Sequence, residues 1–274
     1  MRRFLHKLAI DQNPAWIFIL PSMILIGLLG LPLVALVWRA VGMDFFNYVL
    51  SPTALSALKL SILTSTTSLL IALAAGTPLA YILARWKFRG QTALELLIDL
   101  PVVLPPSVAG LALLIAFGRQ GVFGAWLSTI GISLPFTTAA VVIAQTFVSA
   151  PLFVRSARVG FAGIDRQLEE AATVEGANEW QVFRFIMFPL AGRSLLTGLV
   201  LTWTRALGEF GATIMFAGNL EGTTQTMPLA IYLGFERGLG IAIALSVMLV
   251  LVSIVLLGMM RRLEQRNQVP ALDV

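Results

Sequence analysis

Cysteine is absent from this chain, and histidine occurs once, as His6. Disulfide bonds and thiol chemistry are therefore excluded. A zinc site of the usual Cys/His type is excluded as well, because such a site needs several of these side chains. The lack of cysteine does not identify the compartment in which the protein works.

Charged residues are also scarce. They make up 12% of the chain, roughly half of the share found in soluble domains. Apolar residues make up 58%, and the mean hydropathy is +0.88. One aqueous core cannot hide so much apolar surface, so the composition indicates a membrane protein. In a membrane protein the net charge of +5 reflects the basic residues that flank the spans. We therefore expect no nucleic-acid partner.

Several signatures of catalytic sites are missing. The chain has no G-x-x-x-x-G-K-[S/T] loop, so it does not bind ATP as a P-loop protein. It also lacks the G-x-S-x-G and H-E-x-x-H patterns of hydrolases, and it has no DNA-reading motif. We therefore expect no catalytic residue, no metal site and no cofactor in this chain, which cannot power a process by itself.

Six apolar segments are long enough to cross a bilayer, whose ~30 Å hydrocarbon core needs about 20 helical residues. The predicted spans are residues 15–38, 55–84, 96–117, 136–158, 190–217 and 237–260. The first span is too long for a signal peptide and lacks a cleavage site, so we expect an uncleaved helix. Pro101, Pro105 and Pro106 are expected to break or kink the third span. The prediction is an all-α, polytopic fold.

Lysine and arginine residues are distributed unevenly around these spans. With six spans, both termini lie on one side, which receives fourteen of the nineteen basic residues. The other side receives Arg39, Arg119 and Arg237. Basic residues are enriched in cytoplasmic loops, so both termini are expected in the cytoplasm. Arg205 is left inside the membrane, and Lys59 is expected to extend to the outer interface.

The longest segment between predicted spans is residues 159–189, on the cytoplasmic side. Asp165 is a suitable N-cap for one short helix, and Asn178 with Gln181 forms the capping-box pattern of a second. Gly176 lies between them, where the first helix has to stop. The pattern predicts a compact helix–glycine–helix unit, and Pro189 is expected to open the fifth span.

Residues 170–189 carry a motif, which reads E-A-A-T-V-E-G-A-N-E-W-Q-V-F-R-F-I-M-F-P. It resembles the cytoplasmic "EAA" signature of ABC importer permeases, E-A-A, three residues, G, nine residues, I-x-L-P. The matching positions are Glu170, Ala171, Ala172, Gly176, Ile186 and Pro189. Phe188 departs from the usual leucine but remains apolar. The resemblance implies that this loop is the coupling helix that sits in a cleft of a separate ATPase subunit.

The same family is indicated over about residues 55–262. The strings T-P-L-A-Y at 77–81 and L-P-V-V-L-P-P at 100–106 are similar to the ends of its second and third helices. Residues 206–232 look like the molybdate branch, and sulfate permeases have a related A-x-G-E-F-G run. The predicted regions are 1–54 (first helix and outer loop), 55–262 (permease core) and 263–274 (cytoplasmic tail).

The resemblance also implies partners and a location. These are an ATPase subunit that binds ATP and Mg, an extracytoplasmic oxyanion-binding protein, and a second copy of the chain, in a bacterial inner membrane. The implied mechanism is alternating access, in which ATPase motion at the coupling loop opens the path to either side in turn. Molybdate, tungstate and sulfate stay open as substrates, and some relatives pair two different permeases.

Two opposite charges lie in the middle of the predicted fifth span. Arg205 and Glu209 are four residues apart, so they share one helix face. A charge at this depth costs about 3 kcal/mol on insertion scales and faces a bundle interior or water. The pair is either a structural ion pair or part of a gate, and we expect a gate built with Gly208, Phe210 and Gly211.

Two other classes of membrane protein were weighed. An ion-coupled secondary transporter would need inverted repeats and more intramembrane carboxylates, and neither is seen. An intramembrane enzyme would need a nucleophile and a base, and His6 lies outside the predicted spans.

Overall fold

The computed structural model describes residues 15–266. Residues 1–14 and 267–274 lie outside the described residues, with Arg2, Arg3, Lys7 and most of the predicted tail. The described part is helical and contains no strand. Its α-helices are α1 Ala15–Ala40, α2 Phe45–Val49, α3 Pro52–Arg85, α4 Gln91–Val103, α5 Pro106–Phe117, α6 Gly124–Thr129, α7 Thr138–Ala162, α8 Arg166–Val174, α9 Glu179–Val182, α10 Phe188–Leu190, α11 Gly192–Leu207, α12 Gly211–Ala217, α13 Met227–Arg237 and α14 Leu239–Arg266.

The number of membrane spans agrees with the prediction when bent helices are included. Within the described residues, four helices are long and apolar enough to cross alone, in α1, α3, α7 and α14. Two bent pairs pass the same test of length and composition when each pair is counted as one span, which brings the total to six. One is α4 with α5, and the other joins Glu179–Leu190 to α11. The all-α, polytopic fold is therefore confirmed.

The third span departs from a straight helix. The chain bends by 118° between its halves α4 and α5, and the break falls at Leu104 and Pro105. The proline ring removes a backbone donor and holds the preceding residue in an extended conformation, so the helix has to end there. Leu104 is extended, as this rule requires. The expected proline break is confirmed.

The fifth span also differs from the prediction, which treated residues 190–217 as one helix. Helix α11 ends at Leu207, and α12 starts at Gly211. The intervening residues lack helical conformation, with Gly208 as the C-cap of α11. This break places Glu209 between two helix ends instead of on a continuous helix face.

Helices α3, α7 and α11 form the centre of the bundle through close contacts at small residues. Phe153 of α7 is fully buried, with Gly76 of α3 on one side and Gly198 of α11 on the other. A β-carbon at Gly76 would lie 2.8 Å from the Phe153 ring. Membrane helices associate through small residues of this kind, because lipid provides no hydrophobic drive between them.

Helix α1 lies at the edge of the bundle. Its residues from Phe18 onward are almost all exposed, and its contact with the rest of the described chain runs through Leu36 and Ala40 to α14. A helix that is apolar all round suits a lipid environment. Lys59 is exposed near the start of α3.

Candidate functional site

The loop between α7 and α11 folds as its capping residues predict. Asp165 accepts a hydrogen bond from the Gln167 amide at 3.0 Å and caps α8. Asn178 and Gln181 exchange two hydrogen bonds, which completes the predicted capping box of α9. Gly176 lies between the two helices with φ +92°, a left-handed conformation that glycine adopts without strain. The helix–glycine–helix unit is confirmed.

Arg85, the last residue of α3, fixes this unit to the bundle. Its guanidinium lies 2.7 Å from Glu169 of α8 and donates a hydrogen bond to the Ile164 carbonyl at 2.9 Å. The Arg85 side chain is only 7% exposed. The contact with Glu169 is an ion pair without the alignment of a hydrogen bond. This pair was not predicted from the sequence, because 84 positions separate its members.

One side of the unit packs into the bundle. Ala172 and Ala177 contact the buried cluster that contains Phe161, Val182 and Met187. Tyr81 of α3 makes edge-to-face contacts with Phe161 and Phe183, at centroid distances of 5.5 and 5.1 Å. The unit is therefore in direct contact with α3 and α7.

The opposite side of the unit is exposed and carries large apolar side chains among polar ones. Val174 is 87% exposed, and Trp180 and Phe185 are each more than half exposed. Glu170 and Ala171 lie on the same open side, whereas Ala172 is half-buried. We name the exposed side chains of Glu170, Ala171, Val174, Trp180 and Phe185 the docking face. A large exposed apolar patch of this kind marks an interaction surface.

The end of the motif forms the turn into the fifth span. Phe183–Met187 is a π-helix, and the chain bends by 69° between Leu190 and Gly192. Ile186 is half-buried within the π-helix, and Pro189 is exposed in α10. Pro189 was predicted to open the fifth span. This prediction is wrong, because the chain turns after Pro189 and α11 starts three residues later.

Arg205 and Glu209 bridge the break in the fifth span. Arg205 Nη1 lies 2.5 Å from Glu209 Oε2, and the other carboxylate oxygen accepts a hydrogen bond from the Ala212 amide at 2.8 Å. Glu209 is fully buried, whereas the Arg205 side chain is 33% exposed. Glu209 thus ties the end of α11 to the start of α12, and Arg205 stays partly exposed.

The neighbours of this pair differ in how tightly they pack. A β-carbon at Gly211 would lie 2.5 Å from Pro106 Cβ, so α12 closely approaches the start of α5. Gly208 has no such close contact, since a β-carbon there would lie 3.6 Å from the Thr204 carbonyl oxygen, and it is the C-cap of α11 at the break itself. Phe210 contacts Tyr232 of α13 at a centroid distance of 5.3 Å. Glu236 accepts a hydrogen bond from Tyr232 and raises the pKa of its hydroxyl.

A row of buried polar side chains lies along α3 and was not predicted. Ser65 accepts a hydrogen bond from the Trp203 indole at 3.0 Å, and Ser68 donates to Gln145 at 3.3 Å. Ser61 accepts from the Met227 amide at 2.7 Å. Hydrogen bonds between helices hold a membrane bundle together without a hydrophobic drive. The serine and threonine residues of α3 are the feature of the sequence from which this polar row could have been predicted.

Comparison with known protein families identifies the family of this chain. The family model described as "Binding-protein-dependent transport system inner membrane component" matches residues 76–269. That segment includes the docking face, Arg85 and the break in the fifth span.

Curated relatives cover nearly the whole chain. The "Molybdenum transport system permease protein ModB" of Mycobacterium tuberculosis is 42% identical over 246 residues, which is 89% of this chain and 93% of that protein. The protein of the same name in Escherichia coli is 36% identical, over 80% of this chain and 98% of its own length. A "Probable sulfate transport system permease protein cysT" of Chlorokybus atmophyticus is 35% identical, over 81% of this chain and 79% of its own length.

Solved structures share the fold. A bacterial ABC transporter involved in the import of alginate has a chain that matches with a TM-score of 0.76 and 20% identity, covering 97% of this chain and all of that one. The MetNI methionine ABC transporter in an inward-facing conformation matches with a TM-score of 0.60 and 16% identity, over 82% of this chain and 99% of that one.

Proposed function

Because this chain belongs to the family of binding-protein-dependent transport system inner membrane components, we propose that it is the permease subunit of an ATP-driven molybdate importer. The chain itself is non-catalytic, and ATP and Mg are held by a separate ATPase subunit. The observation that carries the proposal is the docking face, an exposed apolar patch on a loop that is anchored to α3 by Arg85.

The substrate is inferred from the relatives. Those named for molybdenum transport reach 42% identity over most of both chains. Sulfate is the second candidate, because the relative named for sulfate transport is 35% identical over four-fifths of this chain. Molybdate and sulfate are both tetrahedral dianions, so the same translocation path can accept either anion. Tungstate has the same shape and charge. Selection then rests with a separate extracytoplasmic binding protein.

The orientation follows from charge. The side that carries the docking face also carries the excess of lysine and arginine, which supports a topology with both termini in the cytoplasm of a bacterial inner membrane. The binding protein then docks on the opposite side, which includes the α1–α3 connection and α13.

The proposed mechanism is alternating access through the interface of two copies of the chain. When the paired ATPase subunits close, they move the docking face, and the Arg85–Glu169 ion pair and the Tyr81 contacts pass the movement to α3 and α7. The bundle then opens outward to take the anion from the binding protein. After hydrolysis it opens to the cytoplasm, and the anion leaves.

Arg205 and Glu209 are assigned to the gate in two different roles. Both carboxylate oxygens of Glu209 contact groups of the chain itself, so Glu209 stabilises the break between the two helices. Arg205 is partly exposed and offers positive charge toward a passing dianion. Gly211 and Phe210 set how α12 packs against α5 and α13.

The experiment that tests the substrate is competition in proteoliposomes. The complex of the chain, its ATPase and its binding protein is reconstituted, and ATP-dependent uptake of labelled molybdate is measured against excess sulfate or tungstate. Uptake that resists sulfate and yields to tungstate supports the proposal. Displacement by sulfate favours the second candidate, and ATP-dependent uptake of none of the three would refute the substrate class.

A further inference from the structure

A groove lined by both polar and aliphatic side chains lies at the end of α7 and the start of α11, next to the cytoplasmic loop. Its volume is about 450 Å³. It is lined by Arg155 and Ser156 from α7 and by Arg193, Ser194 and Thr197 from α11, together with three aliphatic side chains. We name it the inner groove. A water molecule takes up about 30 Å³ of liquid, so a tetrahedral oxyanion fits there with part of its hydration shell.

The inner groove carries an excess of positive charge. Arg155 is paired with Asp99, and the adjacent Arg158 is paired with Glu95. Arg193 is exposed and has no carboxylate within ion-pair distance in the described part of the chain. One uncompensated guanidinium thus faces the groove, and guanidinium groups match oxyanions through charge-assisted hydrogen bonds.

Two serine side chains line the same groove. The Ser156 hydroxyl donates to the Ser194 carbonyl at 2.6 Å, which joins the two helices at the base of the groove. Across residues 15–266, the Ser194 hydroxyl has no hydrogen-bond partner. It is an available donor beside Arg193, so the groove combines a charge and a neutral donor, as a weak oxyanion site requires.

The groove is continuous with the gate along one face of α11. Arg193, Thr197, Leu201 and Arg205 follow at intervals of four residues, and all four are at least partly exposed. The residues that α11 buries, such as Gly198 and Thr202, lie on its other side. Twelve residues of helix separate the two arginines, about 18 Å along the axis. Charges on a lipid-facing stripe would be costly, so this stripe faces water or a second copy of the chain.

We propose that the inner groove is the release site of the transported oxyanion, held weakly by Arg193 with Arg155 and the Ser194 hydroxyl before it enters the cytoplasm. The inference rests on the proposed function and deepens it. A conducting path needs sites that bind loosely enough to let go, and a single uncompensated arginine with one free hydroxyl meets that need. The same chemistry would hold the phosphate of an anionic lipid, so the test separates the two sources.

The chain lacks cysteine, which allows a direct test. A single cysteine is placed at Leu201, which is 46% exposed in the groove, and the complex with the ATPase is held in nanodiscs of phosphatidylcholine alone. The rate of labelling by a water-soluble maleimide is measured with increasing molybdate. Protection follows mass action, so labelling should slow about tenfold at ten times the half-protecting concentration. A cysteine at Ile130, directly after α6, is the control position and should be unaffected.

Variants in the same background assign the protection to the groove. Arg193→Gln should raise the half-protecting concentration about tenfold, the effect of one lost charge-assisted hydrogen bond. Arg193→Lys keeps the charge and should restore part of the protection, which excludes a folding defect. Arg262→Gln removes a charge from the exposed end of α14 and should change nothing.

Two results would overturn the inference. In a complex that imports molybdate, absence of protection at Leu201→Cys would remove the groove from the path and leave the proposed function intact. Protection by phosphatidylglycerol in the nanodisc, without any effect of molybdate in phosphatidylcholine, would assign the groove to a lipid headgroup. If the complex transports no molybdate while molybdate still protects the cysteine, the site stands and the proposed function fails.

Discussion

Arg85 at the end of α3 lies 2.7 Å from Glu169 in α8, and this ion pair joins the central bundle to the cytoplasmic loop. Both side chains are largely withdrawn from solvent. The Arg85 guanidinium also holds the Ile164 carbonyl, so it contacts the loop at two points. This makes Arg85 a direct non-covalent connection between the cytoplasmic loop and a membrane-spanning helix.

Arg85→Ala should uncouple transport from ATP hydrolysis. Removal of the cation leaves the partly buried Glu169 carboxylate unpaired, at a local cost of about 1–3 kcal/mol. The loop then moves without α3, so uptake should fall about tenfold or more while ATP hydrolysis by the complex continues. Glu169→Gln should act in the same direction but less strongly. Arg89→Ala, which removes an exposed cation four residues later, is the matched control, and an equal loss there would contradict the role of the pair.

Gly176→Pro should detach the ATPase while the membrane spans stay inserted. Gly176 has φ +92°, and proline is held near −65°, so the turn between α8 and α9 cannot form. Glu170→Lys should weaken docking by reversing an exposed charge on the docking face.

Retention of the ATPase during purification measures both effects. Gly163→Ala is the control, because Gly163 has an ordinary φ of −76° and room for a β-carbon. Normal transport in both variants would refute the coupling role of the loop.

Glu209→Gln should destabilise the complex. The substitution leaves Arg205 without a counter-charge beside a buried amide, at a cost of about 3 kcal/mol, the low end for buried pairs because Arg205 is one-third exposed. Thermal unfolding of the purified complex measures this loss.

The double variant Arg205→Met/Glu209→Gln separates structure from gating. It removes both charges and should recover most of the stability. Transport should stay low, because the cation of the gate is gone. Recovery of transport along with stability would reduce the pair to a structural role.

Gly211→Ala should disturb the contact between α12 and α5. The new methyl group would lie 2.5 Å from Pro106 Cβ and 3.3 Å from its backbone carbon, so the helices have to separate. Overpacking of this kind costs about 1–3 kcal/mol, which a thermal unfolding curve resolves. Gly258→Ala, with nothing within 4 Å of the added carbon, should leave stability unchanged or slightly raise it, and equal effects at both positions would refute close packing at Gly211.

Local chemistry in the sequence predicted the local structure well. Asp165, Asn178 and Gln181 cap the helices that their side chains suggested, since a cap depends on residues two or three positions away. The break before Pro105 follows from the proline ring itself. The fold class followed from apolar runs long enough to cross a bilayer.

Contacts between distant segments could not be predicted. The pairing of Arg85 with Glu169 and of Arg155 with Asp99 depends on how helices pack, and a single sequence contains no direct signal of that. The break at Gly208 was missed because residues 190–217 are apolar enough to predict one span. Glu209 stabilises the break, because its carboxylate accepts a hydrogen bond from the backbone amide of Ala212 at the start of α12.

The measurement that tests the central claim most directly is the energy source of uptake. Proteoliposomes containing the chain, the ATPase and the binding protein are loaded with ATP, and labelled molybdate uptake is followed with and without ionophores that collapse ion gradients. The account predicts uptake that requires ATP and both partner proteins and persists with the ionophores. Uptake that continues without the ATPase and stops when the ion gradients are collapsed would contradict it, and would identify the chain as a secondary transporter.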